Sequence, residues 1–123
     1  MSMNIQHMAL TENNFQSEVL AAPSLVLVDC WASWCSPFQP INPLLAELPI
    51  SIAQQIKVGR LNVAMFTKLA DDYGIRAVPT LLVFQNGQLL ERLIGQIAQP
   101  TFVSKLGTLL TGTPSNRSQI ACP

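Results

Sequence analysis

The nearly continuous apolar run Leu25-Val-Leu-Val-Asp-Cys-Trp31 neither alternates nor runs far enough for a helix. A short run of β-formers without alternation marks a strand covered on both faces. Upstream, Phe15, Val19 and Leu20 fall at helical spacing within residues 12–20, with Thr11 as N-cap and Pro23-Ser24 as the break. Downstream, residues 36–55 predict a helix containing prolines. Pro37 suits its first turn, Pro40 or Pro43 predicts a kink, and Pro49 a further break. Lys57 to Val63 predicts a second strand, and Thr67 to Tyr73 a short helix closed by Gly74 just past its end. Thr80 to Gln85 and Leu89 to Ile94 predict two strands joined at Asn86-Gly87, the strongest two-residue hairpin signal. Pro100 opens a last helix reaching about Leu110.

The predicted order is therefore α, β, α, β, α, β, β, α. A β-α-β segment requires a right-handed parallel crossover, and the hairpin adds an antiparallel edge. The expected fold class is α/β, a central mixed sheet sandwiched between helices. Asp29 is the anomaly, because a carboxylate inside a strand buried on both faces is costly.

Composition narrows the picture. A chain of 123 residues suits one domain. The expected organisation is a domain over residues 1–111 followed by a flexible polar tail, 112–123. With 49% hydrophobic and 11% charged residues, disorder is excluded for most of the chain. Seven basic residues balance seven acidic ones, with no run of like charge. Neither a nucleic-acid footprint nor a polybasic membrane surface is expected. No apolar stretch approaches the length of a membrane span. Residues 1–14 lack a basic start followed by an apolar block, so the expected location is cytoplasmic.

Three cysteines, Cys30, Cys35 and Cys122, are too few for a disulfide scaffold. A single histidine, His7, and cysteines without close spacing leave no zinc site, and no cofactor is implied. Cys30 lies within the buried strand and reads as a small hydrophobe. Cys35 opens a helix directly after that strand. Free N–H groups and the positive end of the helix dipole favour a thiolate there, the state a nucleophile needs. The bland alternative, a packed thiol, is outweighed by that position.

Here the sequence resembles the thioredoxin family, over roughly Thr11 to Leu110. Val28-Asp-Cys-Trp-Ala-Ser-Trp-Cys-Ser-Pro-Phe38 resembles the family's Val-Asp-Phe-Trp-Ala-x-Trp-Cys-Gly-Pro-Cys. Pro43 matches the helix-kinking proline, and Arg60-Leu-Asn62 resembles Lys-Leu-Asn. Tyr73-Gly-Ile-Arg-Ala-Val-Pro-Thr80 resembles Tyr-Gly-Ile-Arg-Gly-Ile-Pro-Thr, and Asn86-Gly87 and Gly95 complete the series. The resemblance implies a thioredoxin fold and thiol–disulfide exchange on protein substrates that carry cysteines or disulfides.

It also assigns roles. Cys35 would be the catalytic nucleophile within a motif of Trp34, Ser36, Pro37 and Phe38. Pro79 would be a cis-proline beside it. Val78 would offer its backbone to an extended peptide, in an apolar groove of Trp34, Ala77 and Val78 rimmed by Gly95-Gln96. Trp31, at a strand end, is expected to pack in the core. Asp29 matches a buried aspartate that serves the second cysteine of the family's motif, with Arg60 as its charge partner in place of lysine. Asp29 either tunes Cys35 or is held by that pairing, and the pairing is favoured.

Phe38 is the decisive departure, because the family has its resolving cysteine there. A dithiol couple, about −270 mV in thioredoxin, cannot form at this motif. Reduction by a thioredoxin reductase loses its substrate as well. A mixed disulfide on Cys35 would wait for an external thiol such as glutathione. Cys122 is either an idle surface thiol or a surrogate resolver. The chain from Leu110 to it spans roughly 36 Å at ~3.3 Å per residue. A tether of that kind gives an effective concentration on the order of millimolar.

Three functions are consistent with these residues. The first is a single-cysteine exchanger that reduces or deglutathionylates proteins. The second is a non-catalytic binding or regulatory module that captures a client peptide or thiol. The third is a purely structural domain. The joint presence of Asp29, Trp34, Cys35, Pro37 and Val78-Pro79 argues against the third, and the exchanger is favoured over the binding module.

Overall fold

A computed structural model describes residues 7–32, 48–95 and 99–111. In chain order it contains β1 (His7–Leu10), a wide π-type helical turn α1 (Gln16–Leu20), β2 (Leu25–Trp31), α2 (Ile50–Ala53) and β3 (Ile56–Asn62). Then follow α3 (Thr67–Asp72), β4 (Thr80–Gln85), β5 (Gln88–Ile94) and α4 (Gln99–Thr111). The sheet has five strands in the order β1-β3-β2-β4-β5. Strands β1, β3 and β2 run parallel, whereas β4 and β5 are antiparallel to their neighbours. This is the mixed α/β sheet that the periodicity predicts.

Strand β2 is central and covered on both faces, which is why its sequence does not alternate. Val26, Val28 and Cys30 pack on one side with Leu10, Phe15, Val19, Leu61 and Leu82. There Phe15, Tyr73 and Phe84 form a cluster with ring centroids 5.4 to 5.8 Å apart. Leu25 and Leu27 face the other side, where Val58, Leu81 and Val83 meet Phe102 and Leu106 of α4.

Local signals translate directly into geometry. Thr11 Oγ1 accepts the Asn13 and Asn14 amides, and Asn14 Oδ1 accepts the Thr11 amide at 2.7 Å, a reciprocal cap. Pro49 is extended (ψ 144°) and α2 begins immediately after it. Asn86 and Gly87 both have positive φ, 54° and 79°, as a type I′ hairpin turn requires. At the end of α3, Gly74 is left-handed (φ 64°). Its amide bonds Asp71 O and the Ile75 amide bonds Ala70 O, a complete Schellman closure.

Two features depart from the predicted order. The first element among the described residues is a strand, β1, that the residue pattern does not announce. It pairs with β3, and there the Leu10 side chain packs over Gly59: a β-carbon on Gly59 would lie 2.5 Å from Leu10 Cδ1, so a larger residue there would push Leu10 aside. The first helical segment also widens: the Ala21 amide reaches back five residues to Gln16 O.

Candidate active site

The C-terminal ends of β2 and β3, the start of β4 and the end of β5 lie along one edge of the sheet. Trp31 is in register with Asn62, Cys30 with Thr80, and Thr80 with Ile94. Ala32, the last described residue after β2, is buried, and Cys35 follows three positions later in the chain. Trp34, Cys35, Ser36, Pro37, Phe38, Pro40, Pro43, Gln96 and Cys122 lie outside the described residues.

At this edge the chain between α3 and β4 makes its approach. The Val78-Pro79 peptide bond is cis, as the resemblance implies. The loop is fixed at its exit: Thr80 Oγ1 donates to Ala77 O at 2.6 Å, and the Gly95 amide donates to Pro79 O at 2.9 Å. Ala77 is exposed, while Val78, Pro79 and Gly95 are half-buried. Among the described residues, nothing takes up the backbone N–H or C=O of Val78. Ile94, beside this unpaired stretch, is 61% exposed. An extended backbone laid alongside Val78 would find a free donor and acceptor and an apolar neighbour.

Beneath the same edge, Asp29 sits on the α4 side of β2, 3% exposed. Arg60 is its register partner on β3, with Nε 3.7 Å from Asp29 Oδ2. The charge partnership expected from the sequence is thus present in space. The separation exceeds hydrogen-bond length, and Oδ2 has no hydrogen-bond donor among the described residues. Burial therefore dominates, lifting the Asp29 carboxyl to about 6, with the Arg60 charge opposing the rise.

Trp31 corrects an expectation. It is half-buried rather than a core residue, and the Arg60 guanidinium lies over its ring, 4.7 Å from the centroid. A planar cation on the indole face is a favourable cover that lysine, a compact point charge, reproduces less well. Carboxylate, guanidinium and indole thus lie together under the strand end that leads to Cys35.

Cys30 is fully buried, and its thiol is pushed up to about 12 by burial and then by Asp29, against the lowering effect of Arg92. It remains a protonated packing residue at neutral pH. Arg92, which the sequence reading does not single out, is also an anchor: its Nη1 donates to the Tyr73 and Gly74 carbonyls. No local pattern marks that contact, because donor and acceptors are 18 and 19 positions apart.

Comparison with known proteins agrees with this geometry. The family model described as thioredoxin matches residues 6–108. The chain is 36% identical over 98 residues to thioredoxin 1 of Synechococcus elongatus, covering 80% of this chain and 92% of that protein. It is 41% identical over 90 residues to thioredoxin of Buchnera aphidicola subsp. Schizaphis graminum, covering 73% and 83% respectively. With thioredoxin 2 of Chlorobaculum tepidum the identity is 32% over 104 residues, covering 85% and 95%.

Proposed function

The chain belongs to the thioredoxin family of disulfide oxidoreductases, and on that premise we propose that it exchanges disulfides through one nucleophile, Cys35, with an external thiol completing each cycle. The observation that carries this reading is Phe38, which stands where a second active-site cysteine would close an intramolecular disulfide.

The steps balance without that cysteine. The Cys35 thiolate attacks a client disulfide; the client S–S bond breaks, a Cys35–client disulfide forms, and the departing thiolate takes a proton. Glutathione then attacks the Cys35 sulfur, releasing the reduced client and leaving Cys35 glutathionylated. A second glutathione restores the thiol and leaves as oxidised glutathione. Starting from a glutathionylated client, one attack by Cys35 and one by glutathione suffice. Placement of Cys35 at a helix start, as read from the sequence, supports a thiolate at neutral pH. The Val78 backbone, without a partner among the described residues, supports client binding, as does the groove of Trp34, Ala77, Pro79 and Gly95 that the resemblance implies. As the resemblance implies, Trp34, Ser36 and Pro37 would frame the nucleophile, and Cys122 would be either an idle thiol or one that competes with glutathione. The cytoplasm, rich in reduced glutathione, is the compartment this cycle suits.

The test is reduction of a protein disulfide with glutathione as electron donor. The natural chain should turn over at least about tenfold faster than Cys35→Ser, since Cys35 is the protein nucleophile on which every turn of the cycle begins. A stoichiometric mixed disulfide without turnover would overturn exchange in favour of client capture.

A further inference from the structure

We propose that Arg92 is a positioning residue for protein clients: from β5 it holds the α3–β4 connection so that the Val78 backbone stays presented to an incoming chain. This rests on the reading that clients pair with Val78.

The Schellman closure of α3 occupies the carbonyls of Ala70 and Asp71, and the Tyr73 amide occupies that of Leu69. Beyond them, the carbonyls of Tyr73 and Gly74 receive Arg92 Nη1, the second at 3.4 Å. A cation at a helix C-terminus is favoured by the dipole as well as by the bonds themselves. The donor comes from the edge strand, where Arg92 is in register with Leu82 of β4. One side chain therefore ties the end of α3 to a strand two elements further along the chain.

The tie has a counterpart. The segment from Gly74 to Pro79 is anchored at its start by Arg92 and at its finish by the Gly95 amide on Pro79 O, so both anchors come from β5 or the residue after it. Between them Arg76 and Ala77 are exposed, and the Val78 backbone has no partner of its own among the described residues. A loop with free backbone groups binds an extended peptide best when it is already ordered, because the ordering entropy is then not lost on binding. Arg92 supplies that order at one end.

The experiment compares the natural chain with Arg92→Leu and Arg92→Lys. Amide hydrogen exchange is read at Gly74 and Ile75, whose amides are held by Asp71 O and Ala70 O beside the Arg92 tie. Rates are read with insulin and with hydroxyethyl disulfide, a substrate too small to pair with a strand. Arg92→Leu should speed exchange at these amides and raise KM for insulin about fivefold, the size expected from losing one exposed charge-assisted anchor. Its rate with the small disulfide should stay within about twofold of the natural chain, since Cys35 itself is unchanged. Arg92→Lys keeps the charge but loses the fork and should recover part of the loss. Unchanged exchange at Gly74 and Ile75, or an equal loss with both substrates, would overturn the role of Arg92. Failure of the natural chain to use insulin at all would instead overturn pairing at Val78, while the exchange data still decide whether Arg92 anchors the loop.

Discussion

Replacing Phe38 by cysteine is expected to raise reduction of this protein by a thioredoxin reductase by at least about a hundredfold, from a rate near background. The natural chain offers a reductase no disulfide at the motif, since Cys35 has no sulfur three residues on. A cysteine at position 38 places a second thiol next to the first within one chain. Well-oriented intramolecular reactions reach effective molarities on the order of 10⁵ M or more, far above millimolar cellular thiols. Oxidised Phe38→Cys should therefore hold a disulfide between Cys35 and the introduced thiol, and consume reductase electrons in proportion to its concentration. The same variant should release mixed disulfides faster, because the new thiol attacks them from within. Rapid cofactor oxidation by reductase in the presence of the natural chain alone would contradict this.

Asp29→Asn is expected to stabilise the fold at neutral pH by about 2–3 kcal/mol, since each unit of carboxyl shift corresponds to ~1.4 kcal/mol. Burial lifts the Asp29 carboxyl from an ordinary value of 3.8 to about 6. Below the unfolded value the carboxyl is neutral in both states and costs nothing extra. Between there and about 6 the folded chain holds a proton that the unfolded chain has released, so stability falls as pH rises. Above that window the deficit is constant. Asparagine has nearly the same shape and no charge, so it avoids the deficit, and Arg60, half-buried against Trp31, retains its aromatic contact. Denaturant unfolding should show natural and variant chains converging near pH 4 and separating to their full difference by pH 7, a pattern fixed by the two carboxyl values. A difference that is absent at pH 7, or of opposite sign, would show that Asp29 is held ionised by Arg60 strongly enough to overcome burial.

How legible this protein is from its sequence depends on the distance over which each feature is determined. Strand β2, the Asn86-Gly87 turn, the Gly74 closure and the Pro49 break are set by a few adjacent residues, and all stand where the pattern places them. The Asp29–Arg60 pairing is accessible only through the family resemblance, because the two residues meet by strand register. Strand β1 escapes because four residues with one buried side chain beyond His7, Leu10, carry almost no periodicity. It exists through its pairing with β3 and the clearance at Gly59. The pattern misassigns Trp31 to the core since its cover, Arg60, comes from the neighbouring strand. Arg92 is silent for a related reason: an exposed arginine on an edge strand looks like a solubility residue until its acceptors are seen.

The central claim, one nucleophile and no internal resolver at the motif, is tested most directly by intact-mass measurement after treatment with oxidised glutathione, comparing the natural chain, Cys35→Ser and Cys122→Ser. The predicted result is a single glutathione adduct on Cys35 that persists until an outside thiol is added, that is absent from Cys35→Ser, and that lives at least as long in Cys122→Ser. A natural chain in which Cys35 stays unmodified while Cys122 is labelled would contradict it.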